Sequence, residues 1–326
     1  MRGYLTRRLA SMAVSLVGIT VVVFLLLIQA PGDPVTIRTG IQRQVPEAVL
    51  QEIRRDLGLD LPLPAQYFRW LSRVARLDLG TSIAHRRPVT NVAMEKVPAT
   101  LLLNGLALFL ALIIAIPLGV LSASWPGSWF DRLSGGALFA LYSMPTFWVA
   151  LILIEVFAIR LEVLPLFGME SARAETWGPG ARFIDRLFHL VLPVTALAYA
   201  QLAFFARFVR SSVREVLSAD YILTARAKGA GPRRVLWAHA GRNALLPLIS
   251  LAGLMVPWII SGSVIVEQIF QWDGIGRLFF SAVLTRDYPL VMGLTLIVAL
   301  ITMAGSLAAD LVYSAADPRV RLGSGQ

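Results

Sequence analysis

The sequence contains no cysteine, which excludes disulfides, thiolate metal sites and cysteine nucleophiles. Its three histidines, His85, His189 and His239, lie far apart, so a histidine-based metal cluster is not expected. Lysine is rarer: only Lys96 and Lys228 stand among the 30 Lys and Arg. A phosphate-wrapping Gly-Lys-Ser/Thr loop needs lysine directly after glycine, and these two follow Glu95 and Ala227. If ATP drives this protein, the ATPase is another chain. Charge of either sign is scarce as well, at 15% of residues against about 25% in soluble domains.

What is abundant is apolar. Hydrophobic residues make up 56% of the chain and the mean hydropathy is +0.68, which marks a membrane protein. With such a composition, the net charge of +10 is suited to an anionic lipid surface rather than to nucleic acid. Six runs free of Asp, Glu, Lys and Arg reach the length of about 20 residues that a spanning helix needs: 9–30, 98–123, 133–154, 187–206, 243–266 and 288–309. The first is too long for the apolar core of a secretory signal and is followed by Pro31, so it reads as an uncleaved span. Arg2, Arg7 and Arg8 precede it, eight Lys and Arg lie between Arg207 and Arg242, and Arg319 and Arg321 follow the last run. The positive-inside rule then places both termini and the 207–242 loop in the cytoplasm.

The 31–97 segment falls outside. It is basic too, but loops beyond ~60 residues cross largely regardless of charge. Pro46 can open a helix that Gly58 ends, and Pro64 can open a second in which Tyr67, Trp70, Leu71 and Val74 form one apolar face. That face suits a small cap packed on the membrane domain, or a surface that meets ligand.

Ionisable residues at membrane depth are few. Glu155 stands near the outer end of the third run, about a turn before Arg160, and Asp310 at the inner end of the last. Interfacial pairing and a place on a substrate pathway are both open to Glu155. Prolines 117, 145, 193, 247 and 257 can kink spans and free carbonyls. The runs offer no paired carboxylates, no Ser-His arrangement, no metal ligands facing each other and no proton relay. An intramembrane enzyme and a proton-coupled transporter are therefore both disfavoured, and no cofactor is expected.

One stretch stands apart from this apolar background, "DYILTARAKGAGPRRVLWAHAGRNALLP" at 220–247. Ser218 or Asp220 can cap a short helix that Gly229 ends. Tyr221, Ile222 and Ala225 give it a compact apolar face, with Arg226 and Lys228 beside it. A second piece, 232–243, opens with Pro232 and leads into the fifth run. The short helix can lie on anionic headgroups or dock in a groove on a cytoplasmic partner, and the residues alone leave both open.

The same stretch resembles the cytoplasmic loop of binding-protein-dependent ABC importer permeases, in the dipeptide/oligopeptide/nickel branch. "RRLASMAVSLVGITVVVF", "PGDPV", "LGLDLPLPAQYFRWL", "LDLGTS" and "VPATLLL" are similar to the family's N-terminal half. "SMPTFWVALILI", "VRSSVREVLSADY", "VEQIFQWDGIGRLFFSAVLTRDYPLVMG" and "DLVYSAADPRVR" are similar to the rest. The resemblance implies that Asp220, Tyr221, Ile222, Ala225, Arg226, Ala227, Lys228 and Gly229 form the coupling helix that enters a groove on the ATPase subunit. It also implies a partner permease, two ATP-binding subunits or domains, and an external solute-binding protein that meets the 31–97 segment. Departures from the pattern are Asp273 for a proline, Gly241 for a leucine, Ser306 for an asparagine and Glu155 for an apolar residue.

The expectation is an all-α polytopic protein of the bacterial inner membrane with six spans, both termini cytoplasmic and a helical periplasmic segment. Its divisions are 1–30, 31–97, 98–313 including the 207–242 coupling loop, and a tail at 314–326. It forms half of a pathway for di- or oligopeptides and is not itself an enzyme. The alternative on the same scaffold is a permease for nickel or another metal chelate. Spans without cysteine and almost without histidine argue against direct metal ligation, though a chelated metal does not require it.

Overall fold

The computed structural model describes residues 2–29, 60–231 and 263–316, with scattered positions between 234 and 259. Among the described residues the architecture is helical, with one isolated antiparallel bridge, Thr81 to Pro88. Helix α1, Arg2–Gln29, carries the first apolar run and contains neither proline nor an acidic side chain. The expected helix from Pro64 is α2, Leu63–Val74, with proline in its first turn. Its apolar face lies on α1: the Tyr67 ring is 5.4 Å from that of Phe24, and its hydroxyl is 3.0 Å from Thr20 Oγ1. Trp70 is buried, as befits a packed cap.

Two long helices form the principal core. Helix α3, Val89–Ser124, and helix α6, Pro179–Leu217, extend the expected spans 98–123 and 187–206 at both ends and make the most extensive packing in the chain. Ala107, Ala111, Ala115, Gly119 and Ala123 recur every fourth position on α3 and are buried there. Opposite them stand Ala203, Ala206, Val209 and Val213 of α6. Lipid supplies no hydrophobic drive between helices, so small residues that let two backbones approach closely take its place. Pro98, Pro117 and Pro193 sit inside these helices without ending them.

The third run behaves differently. One span over 133–154 was expected, with Pro145 able to kink it; α4, Trp129–Ser143, and α5, Thr146–Leu153, meet at 101°, and α5 continues as a π-helix, Ile154–Arg160. Pro145 sits at the break, where it lacks an N–H and disfavours helical geometry at Met144. The Tyr199 hydroxyl donates to the Met144 carbonyl at 2.7 Å, so an acceptor at the break is satisfied from α6.

Helix α7, Asp220–Ala227, follows α6 closely, and α8, Val264–Ile269, α9, Ile275–Leu284, and α10, Tyr288–Ala316, complete the order. A second core joins α10 and α9 to the start of α3, through Val89, Val92, Ile275, Leu278, Leu290 and Leu294. Four described helices are long and apolar enough to cross a bilayer, and the bent pair is a fifth if it counts as one span. The expected span at 243–266, the first outer helix at 46–58 and the second loop piece at 232–243 lie largely or wholly outside the described residues.

Candidate functional site

Helix α7 is closed at its C-terminus by backbone geometry. Gly229 has φ +84°, a left-handed conformation that side chains disfavour. Gly229 N then donates to Arg226 O at 2.9 Å and Ala230 N to Ala225 O at 3.1 Å, the paired bonds of a Schellman motif. The glycine stop read from the sequence is therefore present. The expected cap is not: neither Ser218 nor Asp220 caps α7. Ala219 occupies that position with no side-chain bond, because Ser218 Oγ turns back to Glu215 O at 2.7 Å and Asp220 is already the first helical residue.

The apolar face also divides. Ile222 is fully buried in a cluster with Val235, Val216, Leu217 and Ala230, so it anchors α7 to its own chain. Ala225 is half-buried, and Asp220, Arg226, Ala227, Lys228 and Gly229 are exposed. Tyr221 is 43% and Leu223 55% exposed. Leu223 escaped the sequence reading because the i, i+1, i+4 face was drawn through Ile222. What α7 offers outward is Tyr221 and Leu223 on a rigid element whose other side is fixed.

The last turns of α6, just ahead of α7 in the chain, belong to a charged hub that sequence reasoning missed. Asp131, 5% exposed, accepts from Arg210 Nε at 2.6 Å and Nη2 at 2.9 Å, and from Arg214 Nη2 at 2.9 Å. Ser122 Oγ at 2.6 Å and Gly127 N at 2.9 Å complete its shell. A sequence signal existed, since Ser128 followed three residues later by Asp131 is a helix-start pattern, and Ser128 does cap α4 through Asp131 N.

The opposite end of the bundle holds a cleft of about 630 Å³ whose lining includes His85, Lys96, Glu170, Arg186, Asp273 and Arg277. Lys96 Nζ meets Asp273 Oδ2 at 2.5 Å. Asp273 thus faces a cation. The turn that carries it is held elsewhere: Trp272 Nε1 donates to Ala99 O at 2.9 Å, and buried Glu267 accepts from Thr100 Oγ1 at 3.1 Å and Arg277 N at 3.0 Å. Glu170 accepts from Arg182 twice at 2.8 Å and from Arg186 at 3.0 Å. The hydrogen bonds from Arg182, then those from Arg186, outweigh desolvation and hold its carboxyl at about 2. Glu155, in the π-helix, pairs with Arg160 at 2.9 Å and both side chains are exposed. Among the described residues no group of three or more metal-ligating side chains is suited to hold an ion.

Residues 115–322 match the family described as "Binding-protein-dependent transport system inner membrane component", and residues 1–104 match its N-terminal membrane component. The chain belongs to that family. It is 41% identical over 321 residues to the "Oligopeptide transport system permease protein AppB" of Bacillus subtilis (strain 168), covering 98% of this chain and 99% of that one. It is 37% identical to the "Dipeptide transport system permease protein DppB" of Escherichia coli (strain K12), with 98% of each chain covered. It is 35% identical to the "Glutathione transport system permease protein GsiC" of Pectobacterium atrosepticum, over 98% of this chain and 99% of that one. The apolar helices and the family together make this a multi-pass inner-membrane permease subunit of an ABC importer.

Proposed function

We propose that this chain forms half of a pathway that carries di- or oligopeptides inward, driven by ATP hydrolysed on separate subunits. The carrying observation is similarity along nearly its whole length to permeases named for oligopeptides and dipeptides. Its partners are a second, related permease chain, two ATP-binding subunits or domains and a solute-binding protein. The organisation is a first span at 1–30, an outer segment at 31–97, a core at 98–313 with its 207–242 loop, and a tail at 314–326. Helix α7 is the coupling helix. Exposed Leu223 and Tyr221 on an element anchored through Ile222 support that role, because a rigid helix transmits a push as a rigid-body shift.

Six spans with both termini cytoplasmic remain the topology. The pairing of Arg8 with Asp310 supports it, since it sets the start of α1 beside the last turns of α10. Because the chain lacks cysteine, single introduced cysteines report sidedness cleanly. Ser171→Cys and Thr285→Cys are expected to label from the periplasm, and Ser128→Cys and Ala230→Cys only after permeabilisation.

The functional test is uptake of labelled di- and oligopeptides into liposomes holding this chain, its partner permease and its ATPases, with the binding protein supplied. Uptake is expected only with ATP and binding protein together. ATP hydrolysis stimulated by the binding protein without any peptide uptake would overturn the peptide reading.

A further inference from the structure

Resting on the assignment of α7 as the coupling helix, we propose that Asp131 is the positioning residue that passes its movement to α3 and α4. Only Ser218 and Ala219 separate α6 from α7, so a push on α7 arrives first at the last turns of α6. Those turns carry Arg210 and Arg214, four residues apart and hence on one face. Both end on the same carboxylate, and the Arg210 fork takes both of its oxygens. The same two oxygens hold Ser122 of α3 and the backbone of Gly127 in the α3–α4 turn. One buried group therefore ties α3, α4 and the last turns of α6 together.

Its shell makes the joint stiff. Five hydrogen bonds converge on Asp131, and each involves an ionised acceptor, which makes it stronger than a neutral bond. A second tie runs parallel, with the Arg207 guanidinium 4.3 Å from the centre of the Tyr142 ring. Movement of α4 then reaches Pro145, where the chain turns by 101° into α5. Such a break is where rigid pieces reorient with little loss of internal packing. Arg210 and Arg214 belong to the basic excess that the sequence assigns to a cytoplasmic surface, yet they are spent inside the chain. A mere folding staple would explain the burial. A positioning role further requires that α7 motion and α4 motion be separable when the staple is loosened.

The test uses the assembled transporter in liposomes, with Asp131→Asn and Arg210→Gln made singly and together. Readouts are retention of the ATP-binding subunits, basal ATPase rate, its stimulation by the loaded binding protein, and tri-alanine taken up per ATP hydrolysed. Asp131→Asn is expected to keep its ATPases and its basal rate while uptake per ATP falls by about tenfold, the scale of a typical coupling between sites. The double variant is expected to be no worse than Asp131→Asn alone, because both act through one contact. Full uptake per ATP in Asp131→Asn overturns the proposal, as do single effects that multiply in the double variant. If Asp131→Asn does not accumulate, Arg210→Gln decides, since it leaves Arg214, Ser122 and Gly127 in place; unchanged uptake per ATP there overturns it. Leu223→Asp separates the two levels. If that variant keeps its ATPases the coupling-helix reading itself fails, whereas release of the ATPases together with a fully coupled Asp131→Asn sinks only the role of Asp131.

Discussion

Arg8, near the start of α1, reaches Asp310 in α10 with Nη2 2.9 Å from Oδ2, and the same nitrogen donates to Ser306 Oγ at 2.9 Å. Helices α1 and α10, the first and last among the described residues, are thus joined by a charged contact in which Ser306 takes part. The two charged side chains are 37% and 23% exposed, so water weakens the pair without abolishing it. Replacing Arg8 by Gln or Asp310 by Asn is expected to cost about 1 kcal/mol. The double-mutant cycle, read by thermal melting in detergent, should return a favourable coupling; additive losses would mean that the contact contributes nothing.

Close approach of α3 and α6 rests on Gly119. A Cβ there would lie 2.7 Å from Ala206 O and 2.7 Å from Val209 Cβ. Backbone cannot swing aside as a flexible side chain can, so Gly119→Ala is expected to destabilise by about 1–3 kcal/mol, the usual cost of overpacking. Gly105 lies on the same helix in open space. Gly105→Ala should be neutral, or stabilising by up to about 1 kcal/mol through helix propensity alone. Resistance to unfolding by SDS, compared between the two variants, checks the contrast.

The carboxyl of Glu170 is drawn from an ordinary 4.5 to about 2, chiefly by the hydrogen bonds from Arg182. A depressed folded value favours the ionised form, so its contribution is complete above pH 4.5 and is lost as pH falls toward 2. The segment before α6 should therefore hold its place in mildly acidic medium and loosen only below that range. A fluorophore on Gly178→Cys in proteoliposomes should report a transition that Glu170→Gln abolishes. A transition near neutral pH would contradict the assignment.

Ile222 and Leu223 are neighbours with opposite duties. Ile222→Ala empties a buried site and is expected to cost about 2 kcal/mol, at the low end for such truncations because its cluster is small. Leu223→Asp alters an exposed position, so melting of the chain should not change while the ATP-binding subunits dissociate in detergent. Gly229→Val forces a β-branched residue to φ +84° and should lose about 1–3 kcal/mol and the ATPases together. If Leu223→Asp retains its ATPases while removal of Arg226 and Lys228 abolishes membrane function, α7 is a lipid-surface anchor.

Some of this is legible in the sequence alone. The helical character, the long spans through α3, α6 and α10, the helix after Pro64 and the stop at Gly229 follow from local rules. Apolar runs of bilayer length, a proline in a first turn and a glycine past a last turn act through the backbone within a few residues, whatever surrounds them. Asp310, at the end of its span, could reach either the interface or a neighbouring arginine, and Arg8 is the partner it meets.

Tertiary structure decided the rest. Three prolines stand inside unbroken helices, and Pro145 alone, among those described, bends its run, because Tyr199 of α6 is there to satisfy Met144. Pattern by itself cannot rank those prolines. The division of Tyr221, Ile222 and Leu223 between inward and outward faces depends on Val235, which only the returning chain brings near. Asp131 reads locally as a helix-start acid, and becomes a hub only once α6 places Arg210 and Arg214 against it. Apolar patterning fixes which segments enter the bilayer; which polar groups meet there is set by helix contacts between residues far apart in the chain, and those carry no local signature.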